Sequence, residues 1–245
     1  MAEEIETILD HMTIEDVSTR GARTFYTGSI ECVPCVVVLS GIGKVASAVT
    51  AAILIEVFQI TELIVTGVAG GVHDTVHIGD VVIATGAIQH DMDCSPLFPQ
   101  YEIPLVHTTT FTTDKVRTDL VAEVVKTFIT EHWKEVIDTN AAAALGIIRP
   151  TVHKGLLLSG DQFIGSPEQL AALQKAFPEA LMVEMEGAAV AQVCLPYQLP
   201  LYMFRSISDK ANAQAHVDFT AYIETISRPY TWYLIQHILQ AISKV

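Results

Sequence analysis

Residues 181–209 read LMVEMEGAAVAQVCLPYQLPLYMFRSISD. The stretch parses as a short apolar strand ending in an acidic pair, a helix of small residues, a Pro-flanked turn and a second strand. That second strand, LYMFRSIS, runs directly into Asp209. Each strand therefore delivers carboxylates at its C-terminal end, Glu184 and Glu186 from the first and Asp209 from the second. In α/β sheets, ligands bind at the carboxyl ends of the strands. Two residues apart on extended backbone, Glu184 and Glu186 would share one face. Acids also suit helix N-termini, and capping would account for Glu186 ahead of GAAVAQVC. Three acids at the ends of two otherwise apolar strands go beyond capping and point to a functional cluster.

Around this stretch, strands alternate with helices from end to end. Residues 24–30 and 33–39 are strand-like and joined by a short turn, which predicts a hairpin. SGIGKVASAVTAAILIEVF follows, a Gly-containing turn opening a helix that is apolar nearly all round and so expected to be buried. The next strand, ELIVT, ends in GVAGGV. Glycines at residues 40–43 and 67–71 permit close approach of backbone to a ligand, and Ala69 and Gly70 are candidate substrate contacts there. Neither loop carries the dinucleotide or P-loop fingerprint, so a dehydrogenase reading has little to rest on. Residues 80–87 and 152–158 read as strands. Residues 113–130 and 167–177 read as helices, the latter after a Ser-Pro start, and residues 141–148 are apolar without a clear period. Residues 219–242 form a long helical tail with a bend expected at Pro229, where a backbone donor is lost. At the start, Met1, Ile5, Ile8, Leu9 and Met12 fall at helical spacing, and of the leading acids Glu4 lies on the edge of that stripe. One domain over residues 1–245 is expected, with a mixed, largely parallel sheet between helices.

The 245 residues are half hydrophobic, with 14 Lys and Arg against 28 Asp and Glu, a net charge of −14. Such a balance repels nucleic acid and anionic membrane surfaces and suits a neutral small molecule. No apolar run is long enough to span a bilayer, and no basic segment leads into an apolar stretch at the start; a cytoplasmic protein is expected. Of the four cysteines, Cys32 and Cys35 form a C-x-x-C within a predicted strand, where packing explains them better than redox or zinc chemistry. His73 with His77, and His90 with Asp91 and Asp93, are poor metal candidates, so neither a metal nor a cofactor is expected.

SGIGKV, TGVAGG, SGDQFI, VEMEGAAVA and FRSISDKA stand in an order and spacing that resembles the 5′-methylthioadenosine/S-adenosylhomocysteine nucleosidases of the nucleoside phosphorylase superfamily. The resemblance implies a three-layer α/β/α fold of nucleoside phosphorylase type, a homodimer, and hydrolysis of the N-glycosidic bond of an adenine nucleoside. One difference stands out. Members of the family usually begin with a short apolar strand directly before the segment that opens this chain, so a sheet position is expected to be unfilled.

Breaking a nucleoside C–N bond builds positive charge on the ribosyl ring and negative charge on the purine. One acid must therefore protonate the base and one base must deprotonate the attacking water. By the resemblance, Asp209 is the acid and Glu4 the base. Glu186 holds the ribose hydroxyls, with Glu184 in the same acidic cluster and Met185 packed beside the sugar. Phe163 and Ile164 read the adenine, Ile42 and Phe219 line the 5′-alkylthio end, Ser208 orients Asp209, and Arg205 helps position the water. Leu97 or Phe98 would complete the pocket of a partner subunit. Phosphorolytic relatives carry Arg and Ser near the glycine loop; here the matching residues are Val65 and Val68, which cannot neutralise an oxyanion. Water is thus the expected nucleophile. The remaining alternatives are a nucleosidase for a related adenine nucleoside such as aminodeoxyfutalosine, a phosphorylase, or a non-catalytic nucleoside binder.

Overall fold

The computed structural model describes residues 2–243, with side chains described for residues 5–243. The amphipathic start folds as helix α1 (Ala2–Leu9), with Ile8 and Met12 buried. Met1, assigned to the same stripe, lies outside the described residues. Three antiparallel strands follow, β1 (Thr13–Arg20), β2 (Arg23–Ile30) and β3 (Val33–Val38). The β2–β3 pair is the expected hairpin, turned at Glu31 and Cys32 with φ of 51° and 62°. Positive φ at both central residues matches the twist of the flanking strands in a two-residue turn. Cys32 therefore lies in the turn, and only Cys35 lies in the strand. β1 was not expected, because TIEDVSTR is almost wholly exposed and carries no alternating apolar signal.

Helix α2 (Lys44–Glu56) buries one face through Ser47, Thr50, Ala51 and Leu54. The expectation of burial all round fails, since Val45 is 76% and Val49 40% exposed. The chain continues through β4 (Leu63–Val65), β5 (Val68–Gly71), β6 (Val81–Gln89) and β7 (Phe111–Thr112). Helix α3 (Lys115–Thr127) is capped by Asp114, whose carboxylate accepts from Arg117 N at 2.7 Å. A π-helical turn at Phe128–His132, short helices α4 (Trp133–Val136) and α5 (Thr139–Ala144), strand β8 (Val152–Ser159) and helix α6 (Pro167–Ala176) come next. The decisive stretch then folds as β9 (Ala180–Glu184), α7 (Gly187–Tyr197) and β10 (Leu201–Asp209). The tail is α8 (Ala215–Tyr222), a π-helical turn at Ile223–Ser227 and α9 (Arg228–Ile242), so the disturbance caused by Pro229 falls in the turn just before it.

All nine residues of β10 are buried, and the strand changes partner along its length. Residues 201–203 pair in parallel with β4, 204–206 antiparallel with β6, and 206–209 in parallel with β5. The large sheet runs β4-β10-β5-β9-β8-β6-β7, and the extra β10–β6 pairing bends it back on itself as a partly closed barrel. The sheet is mixed, as expected, but it is not an open layer with two free edges, and only the pairings of β10 with β4 and β5 and of β8 with β6 and β9 are parallel. Helices α2 and α7 cover one side of it through a cluster that includes Ala51, Leu157, Val190 and Met203. On the other side α3, the π-helical turn after it, α4 and α9 pack through Val121, Phe128, Trp133 and Tyr230. Tyr230 donates its hydroxyl proton to Gly79 O at 2.7 Å, and so ties α9 to the turn before β6. Among the described residues no helix is long and apolar enough to cross a membrane.

Candidate active site

Strands β9 and β10 end at one cavity of about 490 Å³, which the loop after β8 also lines. Asp209 closes β10 and is 3% exposed. Its Oδ1 accepts from Ala211 N at 2.7 Å and its Oδ2 from the Ser208 hydroxyl at 2.8 Å. Burial pushes the Asp209 carboxyl above its ordinary range, against the pull of those two hydrogen bonds and with a small push from Asp218. Gly70 allows this packing: a Cβ there would lie 2.9 Å from Asp209 Oδ1. Ala69 lies beside it, buried, and its carbonyl faces the Ser208 hydroxyl at 3.4 Å.

The acidic pair divides. β9 stops at Glu184, and Glu186 occupies the N-cap position of α7 with φ −130° and ψ −45°, so the two do not share an extended face as expected. Glu184 is turned inward and fully engaged. It takes a hydrogen bond from the Ser159 hydroxyl, an ion pair from Arg205 Nη2 at 2.7 Å, and the backbone N–H groups of Glu186 and Gly187. The capping role considered for Glu186 thus belongs to Glu184, whose carboxylate satisfies the first amides of α7. Arg205, 2% exposed, donates to Glu184 and to Phe204 O. Both residues border the cavity, but their hydrogen bonds are with one another, with the Ser159 hydroxyl and with backbone.

Glu186 faces the cavity and accepts from Gly43 N at 2.9 Å. Burial and the neighbouring Glu184 charge raise its pKa, opposed by the Gly43 amide and Arg205. The next amide of α2, Lys44 N, donates to Asp161 Oδ1 at 2.8 Å, and Lys44 Nζ pairs with Asp91 at 2.6 Å. Asp91 also accepts from Asp161 N. Two carboxylates therefore occupy the α2 N-terminus, where an anionic ligand would otherwise bind. Val65 and Val68 line the cavity beside it. The clamp of Lys44, Asp91 and Asp161, and the buried Ser159, escaped sequence reasoning. Asp161 stands inside SGDQFI, but nothing local announces that its partner is 117 residues away.

The mouth of the cavity is apolar. Ile42 is 72% and Phe163 51% exposed, and Phe163 meets Phe219 edge-on at 6.2 Å between ring centres. Ile164 is buried behind them, and Met185 is half-buried next to Glu186. Every residue named from the sequence as contacting substrate thus borders one cavity. Glu4, named as the base, has backbone in α1 but a side chain outside the described residues. Among the described residues, no group of three or more His, Cys, Asp or Glu could hold a metal ion. Asp93 is spent within its loop on Ser95 N.

The phosphorylase superfamily model matches residues 1–228. The 5′-methylthioadenosine/S-adenosylhomocysteine nucleosidase of Shewanella denitrificans is 34% identical over 223 residues, covering 91% of this chain and 89% of the relative. The Neisseria meningitidis nucleosidase of the same name, solved with methylthio-immucillin-A, superposes with a TM-score of 0.84 at 28% identity, covering 100% of this chain and 96% of that one. The futalosine hydrolase of Helicobacter pylori superposes with a TM-score of 0.81 at 29% identity, covering 100% and 95%. The chain belongs to the phosphorylase superfamily and, within it, to the 5′-methylthioadenosine/S-adenosylhomocysteine nucleosidases.

Proposed function

We propose that the protein hydrolyses the N-glycosidic bond of 5′-methylthioadenosine and S-adenosylhomocysteine, releasing adenine and the 5-thioribose product. The observation that carries this reading is the pairing of a buried Asp209, its carboxyl pushed above the ordinary range by burial, with a cavity-facing Glu186 across one nucleoside-sized pocket. Protonated Asp209 donates to the departing adenine, most simply at N7, as the C–N bond breaks. Glu186 holds the ribose 2′- and 3′-hydroxyls, whose hydrogen bonds strengthen as the ring gains positive charge. Water attacks the anomeric carbon and loses its proton to Glu4, the role implied by family likeness. Phe163 stacks on the adenine, Ile42 and Phe219 receive the alkylthio group, and Met185 packs beside the sugar.

Water rather than phosphate is the nucleophile, because the α2 amides are already taken by Glu186 and Asp161 and the adjoining side chains are valines. Glu184 and Arg205 act through each other, an ion pair that fixes the first turn of α7 and with it Glu186. The protein works as a homodimer: Ile42, Val45, Val49, Leu97 and Leu105 expose apolar side chains that a second copy would cover, with Leu97 or Phe98 reaching the neighbouring pocket. A cytoplasmic location fits an enzyme of this kind.

The test is adenine release from each thio-nucleoside, with and without phosphate. Equal rates, with the free thioribose as product, are expected. A phosphate requirement with a ribose 1-phosphate product would overturn hydrolysis. The futalosine hydrolase likeness favours one second reading, action on aminodeoxyfutalosine, whose adenine and ribose ends present the same groups. Turnover of that nucleoside alone would select it.

A further inference from the structure

The Asp209 carboxyl is presented by a tight turn. Its Oδ1 accepts from Ala211 N, two residues on, which makes residues 209–211 an Asx-turn. Ala211 completes the turn with φ +51° and is fully buried. Lys210 is the central residue of this turn, half-buried and absent from the cavity lining. Its ammonium donates to His73 O at 3.1 Å and to Val76 O. Both acceptors belong to the turn that follows β5, and that turn is braced in its own right. Val76 N donates to His73 O at 3.1 Å, His73 Nδ1 pairs with the Thr75 hydroxyl, and Gln174 Nε2 donates to Val72 O at 2.8 Å. The Val76 side chain is buried in the same cluster as Ala69 and Ile207. The ladder between β5 and β10 ends at Gly70 and Asp209. One residue further on, where backbone pairing has stopped, the Lys210 side chain still ties the two strand ends together.

We propose that Lys210 is the positioning residue of the acid, a tethered cation that pins the centre of the 209–211 turn and so fixes where Asp209 delivers its proton. The inference rests on Asp209 as the proton donor proposed above. An amide and a hydroxyl hold the carboxyl, but both come from its own chain neighbours and would travel with the turn. The Lys210 bonds are different, because their acceptors lie on a separate, anchored segment. Charge-assisted bonds of this kind are about twice as strong as neutral ones. A catalytic group displaced by ~1 Å can lose about 10²-fold in rate. Burial lowers the Lys210 pKa, and Asp74 and Asp80 oppose that shift and favour the cation. Removing the side chain would leave two carbonyl oxygens with acids close by, a setting whose chemistry suits a free ammonium ion.

The experiment compares the full chain with Lys210→Met, Lys210→Ala and Asp209→Asn by adenine release and thermal melts. Lys210→Met keeps the stem and loses the bonds. Its kcat is expected to fall by about 10–100-fold while KM moves by less than about threefold, as for an interaction that counts only in the transition state. Lys210→Gln, which keeps one donor, should lie between the two and serves where Met does not fold. In Lys210→Ala, ammonium chloride should raise kcat by about fivefold or more by refilling the vacated position. Tetramethylammonium, with the same charge and no donor, should not. Parental kcat in Lys210→Met, whether or not the melting temperature falls, overturns the positioning role, and so does equal rescue by the two cations. Asp209→Asn tells the two readings apart. If it is inactive while Lys210→Met is unimpaired, only the tie is overturned; if it turns over like the parent, the acid falls and the tie with it.

Discussion

Asp209 and Glu186 carry the chemistry, and their surroundings set how each fails. Asp209→Asn keeps the acceptor toward Ala211 N but has no acidic proton to give. Turnover should fall by about 10²–10⁴-fold, while a non-hydrolysable thio-nucleoside analogue still binds; steady-state kinetics and calorimetric titration read the two. The same variant tests the raised pKa. Between the ordinary aspartate value and its own folded value, Asp209 holds more proton in the folded state than in the unfolded one. Its presence therefore lowers stability progressively as pH rises through that window. Asp209→Asn should accordingly melt higher relative to the parent at neutral pH than at pH 4, in paired thermal scans. Activity, which needs the protonated acid, should decline on the alkaline side. Glu186→Gln loses charge-assisted hydrogen bonds to the sugar and should lower kcat/KM by about 10–100-fold, with KM raised; an unchanged KM would release the ribose hydroxyls from Glu186. The sequence already named Asp209 and Glu186, because acids at the ends of apolar strands are unusual. The local pattern, without the family resemblance, could not separate Glu184 from Glu186: whether a carboxylate turns inward to Arg205 or outward to the cavity depends on where β9 stops and α7 begins.

At the scale of elements, the loop before α2 matters most. Gly43 has φ +89° and ψ +167°, and a Cβ there would lie 2.9 Å from Asp161 Oδ1. The backbone conformation is one that glycine alone adopts freely, so Gly43→Ala should cost about 1–3 kcal/mol in denaturant unfolding. Because the Gly43 amide also holds Glu186, KM should rise in the same variant. Loss of stability with an unchanged KM would separate the loop from sugar binding. Local signals served well where an element carries its own cap or period. Ser166 before Pro167, Asp114 before α3 and the hairpin of β2 and β3 were readable for that reason. β1 was not, since its exposed residues have no face to declare. Nor was the clamp, whose three residues sit at the start of α2 and on two loops far apart in sequence.

At the scale of the molecule, Asp80 joins the barrel to its surroundings. Buried at the turn before β6, it accepts from Thr151 N at 2.7 Å, His77 N at 2.9 Å and His153 Nε2 at 2.9 Å. Burial would raise its pKa, but the bonds from His153, His77 and Thr151 outweigh it and hold the carboxyl below its ordinary range. Its contribution is present above the unfolded value and lost as pH falls through the folded one, the reverse of Asp209. Asp80→Asn should cost about 1–3 kcal/mol near neutrality and flatten the acid limb of the stability profile, seen in denaturant titrations from pH 7 to pH 3. The overall class, strands and helices in alternation about a mixed sheet, was legible from the sequence. The closure was not: LYMFRSIS looks the same whether it has two neighbours or three, and the exchange of partners along β10 is a long-range fact. That exchange has a mechanical corollary. The proton donor ends a beam braced successively from three directions, whereas at the opening Ile42 and Phe163 hang from short connecting segments and Phe219 from the short helix α8. Cleavage is thus staged on a stiff anvil, and whatever breathing admits the nucleoside and frees the adenine must come from the rim.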